Sequence, residues 1–396
     1  MTTAPEPGDS AAADAVTWVE DGTSRSAPWL TTGSQKPPKK VVVVDDALRA
    51  DDAMRLTSEG AALLWRGDYQ GARQLLDALK RRLDRLRVKA DPDPAVTFHR
   101  HRQARGHRTR ILGMVLIELG DDFAVDLRRA PDIRAACRAA YGDDAAPGVA
   151  SLQELLGAVG AHEWRRRGVE IPALGARIHP HYGVFAPTRN EYVDLVAEAE
   201  LPAAATAPGS VAFDIGTGTG VLAAVLARRG VARVVATDIE ARAVACAADN
   251  VDRLGYGDRV EVVRTDVFPD GRADLLLCNP PWVPASPTSS LEMGVFDRRG
   301  QMLADFVRGI PGHLTDGGEA WLVLSDLAER LGLRTREQLT DLFEGSGLTV
   351  LGRVDTRPRH PRAVEGDAGT GAGRDPLATA RTAEVVSLWR LASRHA

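Results

Sequence analysis

The hydrophobic and polar positions change their pattern once along the chain, near residue 168. Before that point apolar residues recur about every three or four positions, which is the spacing of amphipathic helices. After it, short apolar runs alternate with helical stretches, which is the β-α-β pattern of a mostly parallel sheet. Strands are predicted at 211–215, 234–237, 260–264, 274–278, 320–324, 348–354 and 385–391, and helices at 223–229 and 242–254.

This change of pattern predicts three parts. Residues 1–38 are rich in Ala, Ser, Thr, Pro and Gly, which predicts a disordered tail. Residues 39–167 predict a helical N-terminal domain, and residues 168–396 predict an α/β domain. The helices of the N-terminal domain are predicted at 51–64, 72–86, 99–118, 131–141 and 151–167. A glycine-rich stretch at 366–374 is expected to be mobile.

Composition narrows the class of protein. A net charge of -4 argues against a generally basic nucleic-acid coat. The longest apolar runs, at 41–44 and 221–226, are too short to span a membrane, and the N-terminus lacks the apolar core of a signal peptide. The three cysteines are widely spaced, and His99, His101 and His107 have no carboxylate or thiolate at ligand spacing. We therefore expect no metal site, no disulfide framework and a cytoplasmic location.

A glycine-rich turn follows the first predicted strand of the α/β domain. The strand contains Asp214 and runs into Gly216, Gly218 and Gly220, after which a helix begins. Glycines let the backbone approach a ligand closely, and such a turn lies at the carboxyl edge of an open sheet, where ligands bind. A dinucleotide fingerprint requires a glycine where Val221 stands, so the spacing disfavours a pyrophosphate.

The next two strands also end in acidic residues. Asp238 follows the second strand and can accept hydrogen bonds from both hydroxyls of a ribose. Ile239 beside it can pack on an adenine face, and Asp266 after the third strand can receive the adenine amino group. The ordered occurrence of these residues predicts an adenosine site.

The fourth strand ends in Asn279, Pro280, Pro281 and Trp282. The prolines fix the backbone and remove N–H donors, so the Asn279 side chain and the Pro280 carbonyl become rigid acceptors. An amide or amino nitrogen is a poor nucleophile because its lone pair is delocalised. Acceptors that hold both of its N–H groups favour pyramidalisation and aim the lone pair at an electrophile. Trp282 can stack on the planar group that carries this nitrogen.

These motifs resemble those of a known family. Residues 168–396 resemble class I S-adenosylmethionine (SAM)-dependent methyltransferases, and within them the NPPY-type amino-methyltransferases. The turn from Asp214 to Gly220 is similar to the DLGTGTG motif of their HemK-like branch, which modifies the glutamine amide of release factors. Residues 178–191 are placed like its PRPETE stretch, and Trp282 stands where the family usually has tyrosine.

The resemblance implies a Rossmann-like, seven-stranded class I methyltransferase sheet preceded by the helical domain. It also implies SAM as the cofactor and Asn279, Pro280 and Trp282 as the catalytic residues. The residues implied to bind SAM are Asp214, Gly216, Thr217, Gly218, Gly220, Asp238, Ile239, Asp266, Val267 and Asn279.

The methyl acceptor stays open at this point, with a protein amide, an RNA amino group and a small molecule as the options. The arginine-rich residues 80–110 are either a contact surface for RNA phosphates or a solvated face. Arg357, Arg359, His360 and Arg362 form either a substrate contact or a plain loop. Two other functions remain as alternatives: a Rossmann-type nucleotide-binding oxidoreductase, and a non-catalytic SAM-binding scaffold.

Overall fold

The computed structural model describes residues 14–33, 35–143, 146–287, 290–357 and 380–394. Arg359, His360, Arg362 and the stretch 366–374 lie outside the described residues. The chain forms two compact units, one of Met1–Leu83 with His107–Val159 and one of Asp84–Gly106 with Gly160–Ala396. This division differs from the predicted boundary at residue 168. Within the described residues, no helix combines the length and the apolar character that a membrane span requires.

The first unit is built on a six-stranded sheet with the order β1-β2-β6-β5-β4-β3. Strands β3, β4 and β5 are parallel, and β6 runs antiparallel to β5. The elements in this part of the chain are β1 (Ala15–Glu20), β2 (Thr23–Leu30), β3 (Lys40–Val44), α1 (Ala50–Ser58), β4 (Ala61–Trp65), α2 (Tyr69–Leu83), α3 (Pro94–Leu112), β5 (Val115–Leu119), α4 (Arg134–Tyr141), β6 (Gly148–Ser151) and α5 (Leu152–Arg167).

The prediction of a disordered tail over residues 1–38 is wrong for residues 15–30, which form the β1–β2 hairpin. Val16 and Trp18 are buried on one face of β1. Asp21 and Gly22 form the turn, and both have positive φ, at 52° and 75°. An Asp-Gly pair is a strong signal for a two-residue hairpin turn. The prediction of disorder rested on composition, which is dominated by the small and polar residues around the hairpin, and so it missed this local turn.

The prediction of a helical N-terminal domain is also wrong, because this unit contains both helices and strands. The helix predicted at 51–64 ends at Ser58, and the apolar residues after it form β4. The helix predicted at 99–118 likewise ends at Leu112 and is followed by β5. Every residue of β4 is buried. A strand that is buried on both faces is a continuous apolar run, which periodicity cannot separate from an adjoining helix.

The second unit contains the predicted seven-stranded sheet, which is confirmed. The elements that follow α5 are β7 (Val169–Ile171), β8 (Ala176–Ile178), α6 (Glu191–Glu198), α7 (Ala203–Thr206), β9 (Val211–Ile215), α8 (Val221–Arg228), β10 (Arg233–Asp238), α9 (Ala241–Arg253), β11 (Val260–Arg264), β12 (Ala273–Cys278), α10 (Ser290–Met293), α11 (Gln301–His313), β13 (Leu314–Ser325), α12 (Leu327–Arg330), α13 (Arg336–Gly345), β14 (Leu348–Thr356) and β15 (Val386–Ser393).

The strand order of this sheet is β11-β10-β9-β12-β13-β15-β14, and β15 runs antiparallel to both of its neighbours. Strand β9 pairs in parallel with β10 on one side and with β12 on the other. The chain order therefore reverses between β9 and β12, and such a switch point opens a crevice at the carboxyl ends of the strands. The loops after β9, β10 and β12 carry the motifs predicted to bind ligand.

The hairpin supplies a test of the first unit. Val16 is fully buried, whereas Val19 on the same strand is 65% exposed. Val16→Ala removes two buried methyl groups and should lower the free energy of unfolding by about 2 kcal/mol. Val19→Ala is the matched control and should change it by less than about 0.5 kcal/mol. Urea unfolding of the full chain measures both changes, and equal stability of the two variants would show that the hairpin does not pack on this unit.

Candidate active site

The glycine loop after β9 is held from inside by the carboxylate of Asp214, which is 1% exposed. One of its oxygens accepts the hydroxyl of Thr217 at 2.6 Å and the backbone N–H of Ala223 at 3.0 Å. The same carboxylate thus connects the end of β9, the loop and the first turn of α8. Burial raises the pKa of Asp214 to about 6, against the two hydrogen bonds that lower it. Asp214 shapes the loop and does not line the cavity beside it.

The glycines of this loop are required by its backbone. Gly216, Gly218 and Gly220 have φ of 72°, 57° and 79°, which L side chains rarely adopt. A Cβ on Gly220 would lie 3.1 Å from the Cα of Ala247 on α9, so the loop also packs closely on that helix. These conformations turn the N–H of Gly218 toward Asp238, whose carboxylate accepts it at 3.0 Å. The ends of β9 and β10 are therefore joined.

A cavity of about 580 Å³ lies against this loop, and this volume is in the range of small-molecule sites. Eight predicted cofactor residues line it: Gly216, Thr217, Gly218, Asp238, Ile239, Asp266, Val267 and Asn279. Ile239 is 53% exposed, as expected for a residue that packs on a ligand rather than on the core. Asp214 and Gly220 stand behind the lining.

The charges of the cavity suit a cation. Its lining carries the carboxyl groups of Asp238, Glu240, Asp266, Asp297 and Asp305, with the guanidinium groups of Arg242 and Arg298. Burial raises the pKa values of Asp238 and Asp297. An excess of carboxylates favours a ligand with a sulfonium and an ammonium group and disfavours a pyrophosphate. Together with the exposed Ile239 and the close-approach glycines, this donor set fits SAM.

Some residues of the Asn279–Trp282 motif line the cavity, and the others pack against the hydrophobic core. Asn279 and Pro281 line the cavity, whereas Pro280 and Trp282 do not. Pro280 is buried, and the Trp282 ring packs against buried hydrophobic clusters on both sides of the sheet. The indole N–H of Trp282 donates to Oδ1 of Asn279 at 2.8 Å. The catalytic roles of Asn279, Pro280 and Trp282 stay predictions.

Asn250 on α9 is a residue that the sequence did not single out. It is 1% exposed, and its amide donates to the carbonyl of Thr219 in the glycine loop at 3.1 Å. Its oxygen accepts the N–H of His179 at 2.6 Å, at the start of the segment that supplies Gly183–Phe185 to the cavity wall. His181 of that segment contacts Asp249 at 3.1 Å. One asparagine among the polar residues of an amphipathic helix gives no signal of this bridging role.

The second missed group lies in residues 84–106, which belong to the same unit as the cavity. Phe98 is 1% exposed and packs with Phe296, a residue of the cavity wall. Arg102 forms a bidentate ion pair with Glu292, with N···O distances of 3.0 and 3.1 Å. Its guanidinium carbon lies 4.0 Å from the centroid of the Phe296 ring. The sequence analysis missed Phe98 and Arg102 because the many arginines around them predict a solvated face.

Comparisons with known proteins agree with this geometry. Residues 175–348 match the family model of the methyltransferase small domain. The chain is 33% identical over 180 residues to the release factor glutamine methyltransferase of Cereibacter sphaeroides, covering 41% of this chain and 62% of that one. It is 33% identical over 156 residues to the tRNA1(Val) (adenine(37)-N6)-methyltransferase of Bacteroides thetaiotaomicron, covering 37% and 65%. The chain thus spans less than two thirds of each relative.

The fold, the glycine loop and the family match together define the class of the second unit. Residues 175–348 match the methyltransferase small domain, and the predicted resemblance to class I, SAM-dependent methyltransferases of the HemK-like branch is confirmed. SAM is accordingly the cofactor of this domain. The individual contacts of SAM with the predicted residues stay predictions.

The raised pKa of Asp214 predicts a pH dependence of stability. Because the folded chain binds this proton more tightly than the unfolded chain, Asp214 makes stability fall as pH rises from about 4 to about 6. Asp214→Asn keeps an oxygen for Thr217 and Ala223 but cannot ionise. Calorimetry between pH 4 and pH 7 should therefore show the melting temperature of the wild type falling relative to the variant across that window. A constant difference would contradict the assignment.

Proposed function

We propose that this protein is a SAM-dependent N-methyltransferase that acts on a planar amide or amino nitrogen. The observation that carries the proposal is the position of Asn279, which lies at the end of β12 and lines the same cavity as Gly216, Gly218 and Asp238. The Asn279 side chain, which would receive the methyl acceptor, thus lines the same cavity as the predicted cofactor residues. The family match and the two relatives that methylate nitrogen support the same reaction class.

The residues of the chain contribute mainly by binding and orientation. Bound SAM would supply an activated methyl group on a sulfonium and leave as S-adenosylhomocysteine, and the methylated nitrogen would release its proton to solvent. The glycine loop and Asp238 hold the cofactor, and Ile239 packs on its adenine. The Asn279 oxygen accepts an N–H of the acceptor and orients the nitrogen lone pair toward the methyl group. Holding reacting atoms in line lowers the barrier without a strong general base.

The acceptor nitrogen belongs to a protein glutamine, an RNA base or a small molecule. A neutral amide suits the cavity because its carboxylates repel anions. One observation favours RNA as a second candidate: Arg85, Arg87, Lys89 and Arg105 are exposed in residues 84–106 of the same unit. Such a surface can contact phosphates while only a base enters the cavity. The location of the protein in the cytoplasm remains part of the proposal.

The proposal is tested by incubating the purified protein with tritiated SAM and an extract of cells that do not produce the protein. Label should appear in one of the protein, RNA or small-molecule fractions. Asn279→Ala removes the acceptor oxygen and should lower turnover by about 100-fold or more. Asn279→Asp retains acceptor oxygens and should keep measurable turnover.

The binding of S-adenosylhomocysteine is the control for these variants, and its Kd should change little. Absence of label in every fraction with the wild type would contradict methyl transfer and favour a SAM-binding scaffold. Wild-type turnover by Asn279→Ala would contradict the role of Asn279. Binding of the protein to bulk RNA that weakens steeply as the salt concentration rises would favour the RNA acceptor.

A further inference from the structure

The side chain of Trp282 lies where a stacking role does not explain its contacts. Its neighbours in the motif, Asn279 and Pro281, line the cavity, whereas the indole packs against the core. Its polar contact is the hydrogen bond from Nε1 to Oδ1 of Asn279, at 2.8 Å. Trp282, which the sequence predicts to stack on the methyl acceptor, therefore donates a hydrogen bond to Asn279, which is proposed to bind that acceptor.

This hydrogen bond fixes the orientation of the Asn279 amide, because it requires the oxygen rather than the NH₂ group to face the indole N–H. A side-chain amide has one acceptor oxygen and one donor NH₂ group of nearly the same shape, so the two ends can exchange by rotation. If the amide of Asn279 were reversed, its NH₂ group would face the indole N–H, and two donors would oppose each other. The oxygen has two lone pairs, and the indole occupies one of them. The other remains for the N–H of the acceptor.

The indole is itself held on several sides. The ring of Tyr192 meets it edge to face with centroids 6.4 Å apart. The guanidinium of Arg189 lies 5.5 Å from the ring centroid. Arg189 is fixed in turn by Glu191 at 2.5 Å and Glu384 at 2.9 Å, and these two carboxylates are 2% and 0% exposed. The donor that faces Asn279 is thus part of a rigid assembly.

We infer that Trp282 is a positioning residue, whose indole N–H keeps the carbonyl oxygen of Asn279 presented to the N–H of the methyl acceptor. This inference rests on the proposed N-methyl transfer. It replaces stacking on the acceptor as the role of Trp282. It also explains why a residue with a ring N–H can serve at this position, since a donor at the ring edge reaches Asn279 from within the core.

The deciding variant is Trp282→Phe, which keeps an aromatic ring and removes the donor. We expect kcat to fall about tenfold, the change that follows from losing one hydrogen bond to the reacting assembly. KM for the acceptor and Kd for S-adenosylhomocysteine should change by less than about twofold. The matched control is Trp321→Phe, because the indole of Trp321 is fully buried in β13 of the same sheet and donates to Glu319 at 3.1 Å. This control loses a comparable bond and should keep the wild-type kcat.

A second background shows whether Trp282 acts through Asn279. A carboxylate at position 279 has two equivalent acceptor oxygens, so its orientation needs no donor. In Asn279→Asp, the additional change Trp282→Phe should therefore lower kcat by less than about twofold. A tenfold loss in this background would overturn the inference, as would wild-type kcat in Trp282→Phe alone. An increase in the acceptor KM with unchanged kcat would overturn it in favour of stacking.

A measurement without turnover separates this inference from the proposed function. With ¹⁵N-labelled asparagine, the side-chain NH₂ signal of Asn279 is assigned by its loss in Asn279→Asp. It should shift or broaden in Trp282→Phe and stay in place in Trp321→Phe. An unchanged signal in Trp282→Phe would overturn the inference even in an active enzyme. If the wild type transfers no methyl group, the proposed function fails, while the NMR result still reports whether the indole orients the amide.

Discussion

The cavity depends on one buried carboxylate in strand β9, next to the middle of the sheet. Asp214 accepts a hydroxyl from the glycine loop and an N–H from the helix that follows, so strand, loop and helix keep one arrangement. Burial disfavours the charged form of this carboxyl group and so raises the pKa of Asp214. The loop held in this way directs the N–H of Gly218 to the carboxylate of Asp238 on the neighbouring strand. Asp214 therefore helps to keep Gly216, Gly218 and Gly220 in their left-handed backbone conformations.

The two sides of the cavity are held in different ways. On the cofactor side, carboxylates accept backbone N–H groups, so the positions of Asp238 and the loop follow from the main chain. On the acceptor side, side chains hold one another: Glu384 and Glu191 fix Arg189, which lies over Trp282. The proposed cofactor side therefore depends mainly on the main chain, whereas the proposed acceptor side depends on the identity of single side chains.

The sequence predicted the second unit well because its signals are local. Each strand from β9 to β12 is a short apolar run that ends in a glycine, an acid or a proline, and parallel strands bring those ends to one edge. It failed for the first unit because β4 and β5 are buried and adjoin helices. Asn250 and Arg102 could not be found from local pattern, since their partners Thr219 and Glu292 are distant in the chain. The direction of the Trp282 ring depends on packing and is likewise absent from the motif.

The central claim is that this cavity is a SAM site rather than a dinucleotide site, and isothermal titration calorimetry of the full-length protein tests it most directly. SAM, S-adenosylhomocysteine and NAD are titrated separately under the same conditions. The acid-lined cavity and the loop from Gly216 to Gly220 predict saturable binding of SAM and S-adenosylhomocysteine at one site per chain, with no binding of NAD. Binding of NAD without binding of either SAM or S-adenosylhomocysteine would contradict the account.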